Sequence, residues 1–563
     1  MWARTHASGR VMGRGDGNVK KDAAKLGTAD IPHIVKELKT ASQEVKELKV
    51  HMLDVLASKS PENPPAMVKA GAIGALVGLV ASGTEGGQVH AASTLATIAT
   101  VTKDYKAIVA AGAIKPLVTL LRMGSQQAQT YAAAAIASIS EDPTNKSPII
   151  SAGAIAPLVR LVRSSVSADA QVHASDAIAN LSSNHPPAQN AFNEAGAIPL
   201  LLALLESGKA QVSAANALTH LLSPGLGVEP EPPDILMANP AVQEAVAAEG
   251  GIPPLLSLLN GMNTAGKVNA AAALSNLARG NESTQNLIVK AGGIGPLLQM
   301  LPRHAGTSVA QAQAQAASAL AQLARFNRDN QDLIARAGGL PLMVTLLGGE
   351  NGYDVQAMAA LAVTELCRDN LDNQTMASEQ GSISSLVAQL RGNPHAKETK
   401  AIEAVQAEAV GAIWVLCENH FENKIAIASS GGISPTVNLL ASGGIRAQSH
   451  AANALASLGF DNTHNQEQIT ALLVSMLDVG TPEAKSNAAA SLWRLVQENP
   501  KSQEVVAKAG PITDLITLLK EGTDKAKAYA FPRDRSVTAL LQTHSRLFLC
   551  QVCALWPLSL QTH

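Results

Sequence analysis

The sequence predicts an all-α protein built as a right-handed α–α superhelix, a solenoid with three helices in each repeat. Three observations predict it. First, a glycine turn followed by an apolar helix, as in Ala111-Gly112-Ala113-Ile114-Lys115-Pro116-Leu117-Val118-Thr119-Leu120-Leu121, returns along the chain with turn glycines at 71, 112, 153, 196, 250, 292, 338, 381, 431 and 510. Most steps are 41 to 46 residues, and a fixed period of this size means stacked supersecondary units. Second, the helix after each turn carries apolar residues at i, i+3, i+4 and i+7, as in Ile114, Leu117, Val118 and Leu121, which makes one buried stripe. Third, hydrophobic residues make up 46% of the chain but aromatics only 2%. An alanine-rich chain of this kind suits closely packed helices whose core grows lengthwise as units are added.

In chain order, residues 1–30 are poor in large apolar residues and read as a disordered tail. Repeats begin at Ile31-Pro32-His33-Ile34-Val35, with a second helix over Val45–Ala57. From there each unit reads as a short first helix (Asn281–Lys290), a glycine turn that can take the left-handed conformation ending a helix, an apolar second helix and a longer alanine-rich third helix (Val268–Ala278, Ala447–Leu458). Proline falls in the first turn of the second helix at Pro116, Pro157, Pro199, Pro254, Pro296, Pro341 and Pro435, where no backbone donor is lost. A leucine or isoleucine lies 20 to 23 residues after the turn isoleucine at Leu95, Ile136, Ile178, Leu218, Leu274, Leu455 and Leu492, with longer spacings at Leu320 and Ile413.

Three places break the period. About fourteen extra residues with four prolines lie between Leu222 and Glu249, and a polar insertion occupies Arg391–Lys400. Between Gly459 and Ile469 about six residues and the glycine turn are missing, so that unit is expected to lack a proper first helix. The array is expected to span 31–530, about eleven units, some incomplete, followed by an atypical tail over 531–563.

Composition excludes several functions. A net charge of −2 with no basic stripe argues against nucleic acid. Four cysteines in 563 residues fit a reducing compartment, cytoplasmic or nuclear, rather than a disulfide scaffold. No apolar run is long enough to span a membrane, no signal-peptide core is visible near the start, and Trp2 argues against N-myristoylation. No phosphate-binding loop, nucleophile elbow or zinc-protease motif occurs. Cys550 and Cys553 form a lone pair without a partner pair, and Cys367 and Cys417 take equivalent core positions at third-helix ends. Neither enzyme activity nor a cofactor or metal is expected.

The turn-plus-helix of the AGGIPPLL type, the first helices containing Asn330-Gln331 and Asn373-Gln374, and the third-helix pattern over Ala272–Leu277 resemble the armadillo repeat. HEAT repeats, usually of two helices, lack the glycine turn. The resemblance implies that third helices line a groove binding extended or helical segments of other proteins. Positions −5, −2 and +2 from the register leucine share one helix face. On that face lie His90, His173 and His450 at −5, and Asp176, Asn180, Asn216, Asn269, Asn276, Gln315, Gln322 and Glu365 at −5, −2 or +2. The candidate groove residues are His173, Asp176, Asn180, Asn216, Asn269, Asn276, Gln315, Gln322 and Glu365, because amides can both donate to and accept from a ligand backbone.

In armadillo proteins that carry nuclear import cargo, −2 is a recurrent tryptophan and +2 a recurrent asparagine. Here +2 is asparagine only at Asn180 and Asn276, −2 is never tryptophan, and Trp414 and Trp493 fall at +1. Nor is the groove basic, as a binder of acidic ligands of the catenin kind would need. The turn sequences look most like those of vacuolar armadillo scaffolds and of the armadillo portion of plant-type U-box proteins. The expectation is therefore a protein-binding scaffold or adaptor. A non-catalytic substrate-recognition subunit of a ubiquitin ligase and a nuclear transport cargo adaptor are the alternatives. Partner identity and oligomeric state stay open.

Overall fold

The computed structural model describes residues 26–163, 167–206, 208–224, 238–261, 263–302, 307–392, 399–496, 500–511, 514–515 and 518. The tail over 531–563 with its cysteine pair, Trp2, and most of both insertions lie outside the described residues. Among the described residues every regular element is a helix. The chain divides into two compact units, Met1–Glu229 with Leu236–Leu277, and Pro230–Ile235 with Ala278–His563.

One unit illustrates how the sequence builds a repeat. Asp104 caps the first helix Tyr105–Ala110 by accepting from the Ala107 N–H at 3.2 Å. The helix ends where Gly112 turns left-handed at φ +80°. There the Gly112 N–H donates to Val109 O and the Ala113 N–H to Ile108 O, two bonds that satisfy carbonyls otherwise orphaned at the helix end. The second helix, Ile114–Met123, buries Leu117, Val118, Leu120 and Leu121; Ile114 is only half-buried. Ser125 then caps the third helix, Gln126–Ile139.

All ten expected turn glycines have positive φ, between +72° and +87°. At Gly112 and Gly153 a Cβ would meet nothing within 4 Å, so backbone conformation rather than space requires glycine there.

The third helices explain the alanine. In Gln126–Ile139 the residues Ala128, Ala132 to Ala135, Ile136, Ala137 and Ile139 are all buried. This helix packs on Ile114–Met123 and also on the third helices before and after it, Glu85–Thr102 and Ala168–Ser182. A helix covered on three sides needs apolar surface on three sides, and methyl groups let neighbouring backbones approach closely. The second unit repeats this stack through Thr307–Ala324, Tyr353–Cys367, Thr399–Cys417 and Ile445–Gly459. Cys367 and Cys417 end two of these helices as expected, fully buried; burial pushes the Cys367 thiol far up and that of Cys417 up to about 12.

A second set of left-handed residues follows the third helices, mostly without glycine: Lys103, Asn184, Phe326, Asp369, Asn419 and Asp461, and also Gly280. The next residue caps the following first helix, as Asp104, His185, Asn327, Asn370, His420 and Asn462 do.

The expectation that the unit after Gly459 lacks a first helix is corrected. One continuous helix, Thr463–Val479, begins at the cap Asn462. Its first turns hold Asn465 and Gln466, which donate to Leu458 O at 3.0 Å and Gly459 O at 2.7 Å, as first-helix residues do elsewhere. What is deleted is the glycine turn; without it the first and second helices run on as one.

Candidate functional site

Within each compact unit, first helices carry a polar ladder that ties one repeat to the next. Third helices end in carbonyls with no partner of their own. Gln189 Nε2 reaches Ser182 O, His220 O at 3.1 Å and Ser223 O at 2.9 Å. Gln243 Nε2 reaches Asn276 O and Leu277 O. In the second unit Gln285 Nε2 donates to Gln322 O at 2.8 Å and to Ala278 O and Arg325 O at 3.2 Å. Gln331 does the same for Glu365 O and Arg368 O. Lys146 and Lys424 take this place in two units, donating to Ser183 O and Phe460 O, where a cation suits a helix C-terminus. This is the physical reason for the Asn-Gln pairs of the first helices.

The third helices themselves carry the predicted groove residues. In the first unit, Asn180 Nδ2 donates to Ala137 O at 2.9 Å, Asn269 Nδ2 to Val212 O at 3.0 Å, and Asn276 Nδ2 to Thr219 O at 3.0 Å. Each bond runs from one third helix to the backbone of the preceding one. All three side chains are half-buried, and their Oδ1 atoms accept no hydrogen bond among the described residues. One amide N–H of each is thus committed within the protein, which orients the carbonyl oxygen and leaves it as an acceptor. Asn216 and His173 share this half-buried face.

Asp176 also lies here. Burial pushes its carboxyl above the usual range, and a hydrogen bond with Ser213 opposes that shift. A carboxyl with a raised folded-state pKa binds its proton more readily in the native state, so its ionisation destabilises the fold as pH rises. Asp176→Asn is therefore expected to raise stability at neutral pH. The difference from the parent should close as pH falls through the raised folded value toward the ordinary 3.8, read as urea midpoints of both proteins across that range.

In the second unit the predicted residues separate. Gln315 is half-buried on Thr307–Ala324. Gln322 and Glu365 are enclosed, at 1% and 3% exposure, and this corrects their assignment to an open groove. Gln322 Oε1 is buried with no partner among the described residues. Glu365 holds Arg368 through Nε at 3.2 Å and Nη2 at 3.3 Å.

Two of the three histidines at −5, His90 and His450, are buried. His90 is 9% exposed, pairs with Asp54 through Nδ1 at 2.9 Å, and stacks on His51 with ring centroids 4.0 Å apart. The His450 Nδ1 lies 3.1 Å from Ala407 O, over Gly411, where a Cβ would come within 2.9 Å of that nitrogen. Sequence reasoning missed the bidentate pair of Glu408 with Arg446, which links Thr399–Cys417 to Ile445–Gly459. It also missed the exposed Phe326 with Arg325 and Arg368 around it. The only signal was an aromatic residue outside any apolar stripe.

Among the described residues, no group of three or more histidine, cysteine, aspartate or glutamate side chains could hold a metal ion, and no single helix is long and apolar enough to cross a membrane.

These features define an all-α solenoid of three-helix repeats, a class whose stacked helices generally bind other proteins. Residues 103–141, 142–183 and 239–279 match the armadillo/beta-catenin-like repeat family, which supports an armadillo-repeat family for the chain. A crystal structure of an engineered protein is similar at 29% identity and a TM-score of 0.61, covering 76% of this chain and 98% of that one. A second engineered protein of known crystal structure has 31% identity and a TM-score of 0.39, over 44% of this chain and 96% of that one. No curated protein matches the chain.

Proposed function

We propose that this protein is a non-catalytic scaffold that holds an extended segment of a partner protein along the third helices of its first unit. The observation that carries the reading is the set of anchored amides at Asn180, Asn269 and Asn276. Each presents an oriented acceptor to a backbone N–H of a bound strand, and pre-orientation lowers the entropy cost of binding. Asp176, whose half-buried carboxylate is held at a cost to the fold, supports the same face. The lack of tryptophan at −2 supports a scaffold over a cargo adaptor, as does the likeness of the turns to vacuolar armadillo scaffolds and U-box proteins. The free thiols Cys367 and Cys417 support a cytoplasmic setting.

The test is affinity capture with the full chain and with the double variant Asn180→Ala, Asn276→Ala. Each substitution leaves a carbonyl without its donor and is expected to cost about 1 kcal/mol. Capture is therefore compared at a temperature where both proteins show full helical content. Partner yield should fall at least tenfold in the variant; equal yields would remove this groove from the account.

A further inference from the structure

One edge of the second unit leaves large apolar side chains in solvent. The chain has six phenylalanines in all. Phe192 is fully buried, whereas Phe421 is 53% exposed and Phe460 52%. Leu371 and Ile425 are exposed too, at 52% and 45%. Leu371 opens the first helix Leu371–Glu379, and Phe421 opens the next one, Phe421–Ser429. Ile425 follows Phe421 by four residues, so both side chains stand on one face of that helix. Hydrogen bonds make the edge continuous. Thr375 Oγ1, one turn on from Leu371, lies 2.9 Å from Nε2 of His420, the cap just before Phe421. Lys424 Nζ donates to Phe460 O at 2.8 Å and lies 5.3 Å from the Phe460 ring centroid. Phe326 is exposed as well, but Arg325 and Arg368 gather at its ring and set it apart from this patch. An exposed apolar patch with a polar rim marks an interaction surface.

The charge around the patch selects its partner. Residues 369–375, 418–425 and 460–467 hold six carboxylates, Asp369, Asp372, Glu418, Glu422, Asp461 and Glu467, and one lysine. That lysine, Lys424, is 5% exposed and committed to Phe460 O. Asp372 and Glu422 project into solvent, with side chains 92% and 82% exposed. The arginines nearest in sequence and contact are already held, Arg328 by Asp332 at 3.3 Å and Arg368 by Glu365 at 3.2 Å; Arg328 reaches Asp372 only at 3.6 Å. Burial and then Asp369 push the Glu418 carboxyl above its ordinary range, with Arg368 opposing. Apolar side chains bordered by surplus carboxylate repel nucleic acid and anionic membranes and favour a cationic segment of a protein.

We propose that this edge of the second unit docks a basic amphipathic helix of a partner protein, its apolar face on Leu371, Phe421, Ile425 and Phe460 and its lysines or arginines against the bordering carboxylates. The spacing fits. The repeats are stacked through packed third helices, which sets their step at about 8–10 Å. Residues i and i+7 of an α-helix stand about 10.5 Å apart along its axis. A helix laid across the starts of the first helices therefore meets a new repeat every second turn, with apolar anchors at i, i+4 and i+7. The site uses no residue of the amide face of the first unit.

The full chain is titrated into a fluorescein-labelled peptide of leucine and lysine, roughly eighteen residues or five helical turns, with leucines at i, i+3, i+4 and i+7, and followed by anisotropy. One control peptide has the same composition with the leucines spread around the helix; the other carries glutamate for lysine. The parent protein should bind the first at least tenfold tighter than either control. Phe421→Ser with Ile425→Ser should weaken binding at least tenfold and leave the melting temperature unchanged. Asp372→Asn with Glu422→Gln should flatten the salt dependence of binding. Met123→Ser, at an exposed apolar position of the first unit, should bind as the parent does, and so should Asn180→Ala with Asn276→Ala, which separates this site from the groove. Equal affinity for all three peptides would overturn the proposal, as would no binding by the parent. So would binding unaffected by Phe421→Ser with Ile425→Ser, or a lower melting temperature for that variant, which would make the two side chains packing residues. A parent dimer that the same variant turns into a monomer would give the edge to a second copy of the chain and overturn it as well.

Discussion

Replacing Gln331 with alanine is expected to cost the second unit about 3 kcal/mol, because two buried partners and one part-buried partner lose their hydrogen bonds at once. Gln331 is 3% exposed; its Nε2 donates to Glu365 O at 3.0 Å and Arg368 O at 3.1 Å, and its Oε1 accepts from Asn370 Nδ2 at 3.0 Å. Asn370 also accepts from the Asn373 N–H at 3.1 Å and so caps the next first helix. The loss therefore reaches both the end of one helix and the start of another. Gln331→Lys should cost only about 1 kcal/mol, since a lysine still donates to helix-end carbonyls, as Lys146 and Lys424 do at the equivalent places. Urea unfolding monitored by tryptophan fluorescence reports this unit through Trp414 and Trp493. Equal midpoints for Gln331→Ala and the parent would mean that the ladder contributes nothing.

Glu365→Ala is the other large effect, expected at about 2 kcal/mol, because it removes the hydrogen-bonded carboxylate of a partly enclosed pair and leaves Arg368 with the charges of Asp369 and Glu418 alone. The Glu365 side chain is 4% exposed and that of Arg368 20%, so the pair is only partly screened by water. The sign is specific to breaking the pair. Glu365→Ala combined with Arg368→Met should recover much of the loss, giving a coupling energy of about 1–3 kcal/mol in a double-mutant cycle. Additive losses would show that the two side chains act separately.

Much of this fold was legible in the sequence because its signals are local. A glycine at 112 or 292 announces a left-handed turn whatever surrounds it, and the spacing of Leu117, Val118 and Leu121 announces one buried face. The third-helix register was equally legible, and it placed Asn180, Asn269 and Asn276 on one face, from which each amide reaches the preceding third helix. Burial was not legible. Gln315 and Gln322 are seven residues apart and share a face, yet the first is half-buried and the second enclosed. Register gives direction, not what a neighbouring unit lays over that direction. The turns at Lys103, Phe326 and Asp369 escaped notice because they use no glycine. The fused helix Thr463–Val479 was misread because a missing turn resembles a missing helix.

The central claim is that partners lie along the third helices of the first unit. Hydrogen–deuterium exchange of the full chain, with and without a captured partner, tests it most directly. The account predicts slowed exchange in peptides from Ala168–Ser182, Gln211–Leu221 and Thr264–Ala278, with the short first helices Pro186–Glu194 and Pro240–Ala248 unchanged. Protection confined to those first helices, with none on the third, would contradict it.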